Sequence, residues 1–216
     1  MFFLYQLTLS LITLISPLII IFRIFKNKED KKRFIEKFSI SSKKRIRGKL
    51  IWFHGASVGE LLSIIPLIEN YEKNKNISQI LITSSTLSSS KVIKKFKFKK
   101  TIHQFYPIDN IYFTNKFLNF WKPSLAIFIE SEIWPGMFTN LNYKKIPLVL
   151  LNARITKETF RKWMRFKFFS QKIFGKISVA YPQNTETNFF LKKLRVNNIN
   201  YIGNLKFAGN YYEEQS

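Results

Sequence analysis

Between residues 50 and 202 seven short apolar runs alternate with stretches of helical periodicity, and no other feature limits the fold so tightly. The runs fall at 50–54, 79–83, 102–106, 125–129, 147–152, 177–181 and 199–202. Helix-compatible stretches lie between them at 60–73, 89–98, 110–120, 135–143, 157–174 and 185–194. Apolar runs of this length that do not alternate with polar residues suit strands covered on both faces. Strand and helix in turn predict βαβ units, and hence an α/β fold: a Rossmann-like, open, mainly parallel sheet with helices on both sides.

Open sheets of this kind carry their sites at the carboxyl ends of the strands. The residues leaving those ends are therefore the candidates. The first run ends in His54-Gly-Ala-Ser-Val-Gly-Glu60. Ser57 and Glu60 have capping-box spacing, so Glu60 reads two ways. It can satisfy the Ser57 backbone N–H, or it can be a base whose ionised form the helix dipole favours. Only eight acidic residues lie between Leu50 and Ala208, which makes Glu130 conspicuous: it directly follows Leu-Ala-Ile-Phe-Ile and opens Glu-Ser-Glu-Ile-Trp-Pro, 130–135. It too reads as a site carboxylate or as a cap. Asn152 and Arg154 end the next run, Arg154 either anchoring a phosphate or carboxylate or bridging to Glu130 or Glu132. Lys206 comes after the last run and is a candidate charge for developing anions.

Residues 1–22 carry no charged side chain, and Arg23, Lys26, Lys28, Lys31, Lys32 and Arg33 come directly after them. As a helix they span about 33 Å, enough for a hydrocarbon core of about 30 Å. The positive-inside rule puts the residues after Arg23 in the cytoplasm and Met1 on the far side. A helix lying in one leaflet is the alternative. The expected organisation is a transmembrane anchor at 1–25, a basic juxtamembrane helix and linker at 26–49, a lobe at 50–208 and a tail at 209–216. The formal net charge of +23 favours anionic partners, and the basic juxtamembrane cluster favours the anionic cytoplasmic leaflet.

Residues 91–100 interleave lysines with Phe96 and Phe98, a pattern seen in nucleic-acid binding. The spacing of Val92, Ile93 and Phe96 instead fits a surface helix with one buried stripe, and no nucleic-acid partner is expected. There is no cysteine, so disulfides and thiol chemistry are excluded. Two histidines and no Asp-x-Asp argue against a metal site, and no dinucleotide or Walker phosphate loop occurs.

The ordered set 54–60, Tyr-Pro-Ile-Asp at 106–109, Glu-Ser-Glu-Ile-Trp-Pro at 130–135, Leu-Asn-Ala-Arg at 151–154 and Gly-Asn-Leu-Lys-Phe at 203–207 resembles the amino-terminal half of the 3-deoxy-D-manno-octulosonic acid (Kdo) transferases. That resemblance implies the acceptor-binding lobe of a GT-B glycosyltransferase, anchored single-pass at the inner membrane with its lobe in the cytoplasm. The implied reaction moves Kdo from CMP-Kdo to lipid IVA with inversion, and needs no cofactor or metal. By motif, Glu60 is the base, Glu130 and Lys206 stabilise the transition state, and Ser57, Gly59, Asn152 and Arg154 line the substrate. Two departures stand out: Ala208 replaces the family's Asp, and the carboxyl-terminal CMP-binding lobe is expected to be absent. A second-lobe polypeptide is the partner that would complete such a chain. A non-catalytic module holding phosphorylated lipid A precursor at the membrane is the competing reading.

Overall fold

The computed structural model describes residues 1–204; Lys206, Ala208 and the tail at 209–216 lie outside the described residues. Six strands are present: β1 (Leu50–His54), β2 (Gln79–Ser84), β3 (Thr101–Phe105), β4 (Leu125–Ile129), β5 (Leu148–Ala153) and β6 (Val179–Pro182). All pair in parallel, in the order β3-β2-β1-β4-β5-β6. This is the doubly wound arrangement expected, with its reversal of strand order between β1 and β4. The seventh expected strand makes only an isolated bridge, Ile199 to Ala180, and beyond it Tyr201 and Ile202 stay exposed.

Side chains alternate between two buried faces along each strand, which explains the unbroken apolar runs. Leu50, Trp52, Leu81, Ala126, Phe128 and Leu150 face one core cluster, and Ile51, Phe53, Ile80, Ile82, Ile127 and Ile129 face another. The first cluster is closed by α5 (Ile111–Trp121), α6 (Pro135–Tyr143), α8 (Lys167–Phe174) and α9 (Thr185–Lys193). The second is closed by α2 (Val58–Ser63), α3 (Ile65–Lys73) and α4 (Leu87–Ile93). Two helices expected as single are broken. The 60–73 stretch parts at Ile64 because Pro66, in the first turn of α3, has no N–H to continue the ladder. The 157–174 stretch divides into α7 (Lys157–Met164) and α8, and the Ser170 hydroxyl braces the corner by donating to the carbonyls of Trp163 and Phe166.

The segment expected as a juxtamembrane helix and linker is bound to the lobe. It holds a short 3-10 helix (Phe34–Phe38) with Glu36 fully buried. Arg33 grips Glu36 through two 2.9 Å bonds, lies 4.8 Å over the Phe105 ring and donates to the His103 carbonyl. Glu36 in turn accepts from the Phe105 amide at 2.8 Å. Within the stretch expected as a basic helix and linker, Arg33 and Glu36 are thus paired and turned inward, while Lys31, Lys32, Lys43 and Lys44 stay exposed.

Helix α1 (Phe2–Phe25) is long and apolar enough to cross a membrane. Several of its polar side chains find partners on the lobe. Tyr5 donates to Asp109 at 2.7 Å, Gln6 accepts from the Ile111 amide at 2.9 Å, and Asn110 donates to Ser10 at 3.0 Å. These bonds hold the Met1 end of the helix against the lobe. Unpaired polar groups on an apolar helix are costly, and residues 109–111 take up the Tyr5 hydroxyl, the Gln6 carbonyl and the Ser10 hydroxyl.

Asp109 joins these parts. Its carboxylate accepts from the Gly136 and Met137 amides, both at 2.7 Å, and so caps α6 from a distant loop. A Cβ at Gly136 would sit 2.2 Å from the Asp109 carbonyl oxygen, so only glycine admits this approach. Burial pushes the Asp109 pKa up to about 6, against the pull of Tyr5 and the two amides. Asp109→Ala is expected to lower stability by about 2 kcal/mol or more through the orphaned amides. Hydrogen exchange should then quicken at Gly136, Met137 and the first turns of α1; unchanged protection there would refute this role for Asp109.

Candidate active site

The reversal between β1 and β4 leaves a crevice at the carboxyl end of the sheet, and the turns after those two strands supply its side chains. After β1, Ser57 caps α2, its hydroxyl accepting from the Glu60 amide at 3.2 Å and donating to Glu60 Oε1 at 2.8 Å. Glu60 Oε2 accepts from the Ala56 amide at 2.8 Å, not from Ser57 as a standard capping box would have it. Gly55 makes this fold-back possible: a Cβ there would crowd Glu60 Cβ at 3.2 Å. Gly59 is exposed, with open space where a side chain would project.

Glu60 is half-buried, and burial raises its pKa; the bonds from Ser57 and Ala56 oppose the rise, and the nearby charges of Glu132 and Glu130 add to it. The helix dipole favours the ionised form, while burial, the largest cause of the shift, acts the other way. Glu130 and Glu132, in the turn after β4, lie near enough for their charge to act on Glu60.

Glu130 and Asn152, at the ends of adjacent strands, are both buried and both left-handed, with φ of 55° and 52°. The strands bind each other there: the Glu130 amide donates to the Leu151 carbonyl and the Arg154 amide to the Glu130 carbonyl. Register shifts between Leu150 and Ala153, and Asn152 sits in that irregularity. Non-glycine residues in this region cost about 1–2 kcal/mol each, and such strain collects at functional sites. Arg154 does not bridge to the acidic loop through its side chain. That side chain is exposed, at a polar cavity of about 360 Å³ shared with Thr156, Lys157 and Asn184. Lys206 lies outside the described residues.

Sequence reasoning passed over Glu132 and His54 as site residues. Glu132 Oε2 meets His54 Nε2 at 3.1 Å and accepts from Trp134 Nε1 at 2.8 Å. Burial pushes the Glu132 pKa up, but the hydrogen bond and charge of His54, with Trp134, bring it below the usual value. The fully buried His54 ring stacks on Tyr106 at 3.9 Å, and its Nδ1 lies 3.0 Å from the Thr83 hydroxyl. The signal was present in the chain: a histidine ending one strand and a Glu-x-Glu leaving its neighbour. Among the described residues no group of three or more His, Cys, Asp or Glu is arranged to hold a metal ion.

Two measurements probe this geometry. Ser57→Ala removes a bond that favours the Glu60 carboxylate and should move its titration up; Glu132→Gln removes a like charge and should move it down. Carbon-13 NMR titration of the Glu60 carboxyl reads both, and shifts of the same sign would refute the arrangement. At Glu130, Ala inherits the left-handed backbone whereas Gly relaxes it. Glu130→Ala should therefore be less stable than Glu130→Gly by about 1 kcal/mol in denaturant melts.

The sheet is similar to solved structures of another enzyme class. The UDP-GlcNAc 2-epimerase of Neisseria meningitidis superposes with a TM-score of 0.56 at 13% identity, over 77% of this chain and 50% of that one, a likeness of fold alone. Sequence relatives are more informative. The 3-deoxy-D-manno-octulosonic acid transferase of Rickettsia bellii is 40% identical over 88% of this chain and 45% of its own length. A probable mitochondrial 3-deoxy-D-manno-octulosonic acid transferase of Arabidopsis thaliana is 34% identical over 99% of this chain and 49% of its own. The chain thus spans about half the length of the curated relatives it matches. The family described as 3-Deoxy-D-manno-octulosonic-acid transferase (kdotransferase) matches residues 31–209. With that match covering most of the chain, and the matched residues holding the carboxylates of the β1–β4 crevice, the protein belongs to the Kdo transferase family of glycosyltransferases.

Proposed function

We propose that this chain forms the acceptor side of a transferase that moves Kdo from CMP-Kdo to lipid IVA, with Glu60 as general base. The observation that carries the reading is the Glu60 carboxylate in the β1–β4 crevice, its proton affinity raised by burial beside Glu130 and Glu132. A base works best when its pKa lies nearer the operating pH, and this environment moves a glutamate in that direction. Glu60 takes the proton of the acceptor hydroxyl and that oxygen attacks the anomeric carbon. The bond to CMP then breaks with its electrons leaving on the phosphate, and attack from the opposite face gives inversion.

Glu130 and Lys206 are assigned to charge developing at the reacting sugar, and Asn152, Arg154, Ser57 and Gly59 to substrate contacts. The bonds of Ser57 and Ala56 to Glu60 keep its two oxygens oriented while it waits for the hydroxyl. Carboxylate and lysine suffice for these steps, so the reading invokes no metal or cofactor. A bisphosphorylated lipid suits a chain of net charge +23, and the cations after α1 favour the cytoplasmic face of the inner membrane.

Membranes from a strain lacking its own transferase, given labelled CMP-Kdo and lipid IVA, test the reading. The chain is supplied alone and together with a separately made second lobe. Labelled lipid product is expected, and Glu60→Gln should reduce its rate by about 100-fold or more. Full activity of Glu60→Gln would remove the mechanism. Saturable lipid IVA binding without transfer under either condition would favour a non-catalytic module.

A further inference from the structure

Beside the acidic loop lies a cavity of about 430 Å³, within the size range of about 300–1,000 Å³ usual for small-ligand pockets. Leu4 of α1 forms one wall, Ile133 and Trp134 a second, and Trp163, Phe166 and Phe169 of the α7–α8 corner a third. Its lining is overwhelmingly apolar, and it is not part of the carboxylate crevice. Trp134 nevertheless joins the two, its ring in the cavity and its Nε1–H on Glu132.

We propose that this cavity holds an acyl chain of the sugar-lipid acceptor, an inference that rests on the acceptor reading above. Three observations single out that occupant. First, the α1 wall continues outward as an exposed stripe of Leu4, Leu7, Leu11, Leu14 and Leu18, so a chain reaches the cavity from lipid without crossing water. Second, the docked helix meets a bilayer with its side: Tyr5, Gln6 and Ser10 face the lobe, and the opposite face is the apolar one. Third, exposed Arg161, Arg165 and Lys167 flank the lining residues Trp163 and Phe166 in the chain, beside Phe168, which is 89% exposed. Cations interleaved with aromatic rings suit a membrane interface and the phosphates of the acceptor. An acyl chain in the cavity sets the attached sugar beside Trp134 and hence at the mouth of the crevice holding Glu60.

Four tryptophans make this directly readable. Trp52 and Trp121 are buried in the sheet core, whereas Trp134 and Trp163 line the cavity. The full chain in phosphatidylcholine nanodiscs is titrated with a tetraacylated glucosamine disaccharide bisphosphate carrying bromine on its acyl chains. Saturable quenching of tryptophan fluorescence is expected, and Trp134→Phe and Trp163→Phe should each remove part of it. Thr8→Phe fills the cavity from α1. It should weaken the acylated probe about tenfold, the effect of exposing about two methylenes, and leave the deacylated disaccharide bisphosphate unaffected.

Non-saturable quenching matched by brominated phosphatidylcholine in the disc would overturn the proposal, as would equal weakening of both probes by Thr8→Phe. Failure of the deacylated disaccharide to bind would count against the acceptor reading instead, with quenching still deciding the cavity.

Discussion

Parallel pairing of β1 with β4, from Ile51 opposite Leu125 to His54 opposite Phe128, fixes where both chains leave the sheet. Each strand is buried on both faces, so neither can slip by a residue without turning its core side chains to the wrong cluster. The turns beyond them therefore emerge side by side, Glu60 from one and Glu130 and Glu132 from the other. Because strand order reverses between them, no helix crosses the gap. Core packing thereby sets the distance between groups that take no part in the core.

Three neighbouring carboxylates repel, and a cationic chain does not cure this automatically, since solvent and salt screen its surface lysines. Local pairing does more. His54 and Trp134 satisfy Glu132, which stays acidic, while Glu60 is held by the Ala56 amide and a single hydroxyl and titrates higher. Pushing the pKa values of neighbouring carboxyls apart is how a site gives like groups unlike tasks. The left-handed backbone at Glu130 and Asn152 adds strain to the same rim, balanced by the tightly packed strands beneath it.

The α/β class, the run of parallel strands and the turns that carry Glu60, Glu130, Asn152 and Arg154 were legible in the chain because hydrophobic period and strand-end position depend on local sequence. What escaped depends on contacts distant in sequence. Asp109 stands just before α5, yet it caps α6, 27 and 28 residues further on. His54 and Glu132 are 78 residues apart; each stands at a strand end, but only the pairing of β1 with β4 brings them together. Residues 26–49 read as a basic juxtamembrane helix and linker because the stretch is charged and rich in Ser and Lys. Here Arg33 and Glu36 neutralise each other, which composition alone does not reveal. The break before Pro66 was local and readable, but the apolar periodicity running through it outweighed the proline.

The Arg33–Glu36 clasp also bears on how the lobe can be handled. Strand β3 is the free margin of the sheet, and Glu36 occupies the Phe105 amide on that margin. A chain begun at Leu50 to dispense with the greasy helix would also lose this cover. It would offer an unguarded row of backbone donors and acceptors to other molecules, an invitation to strand-on-strand aggregation. Beginning instead between Phe25 and Asp30 discards the exposed apolar helix and keeps the guard in place.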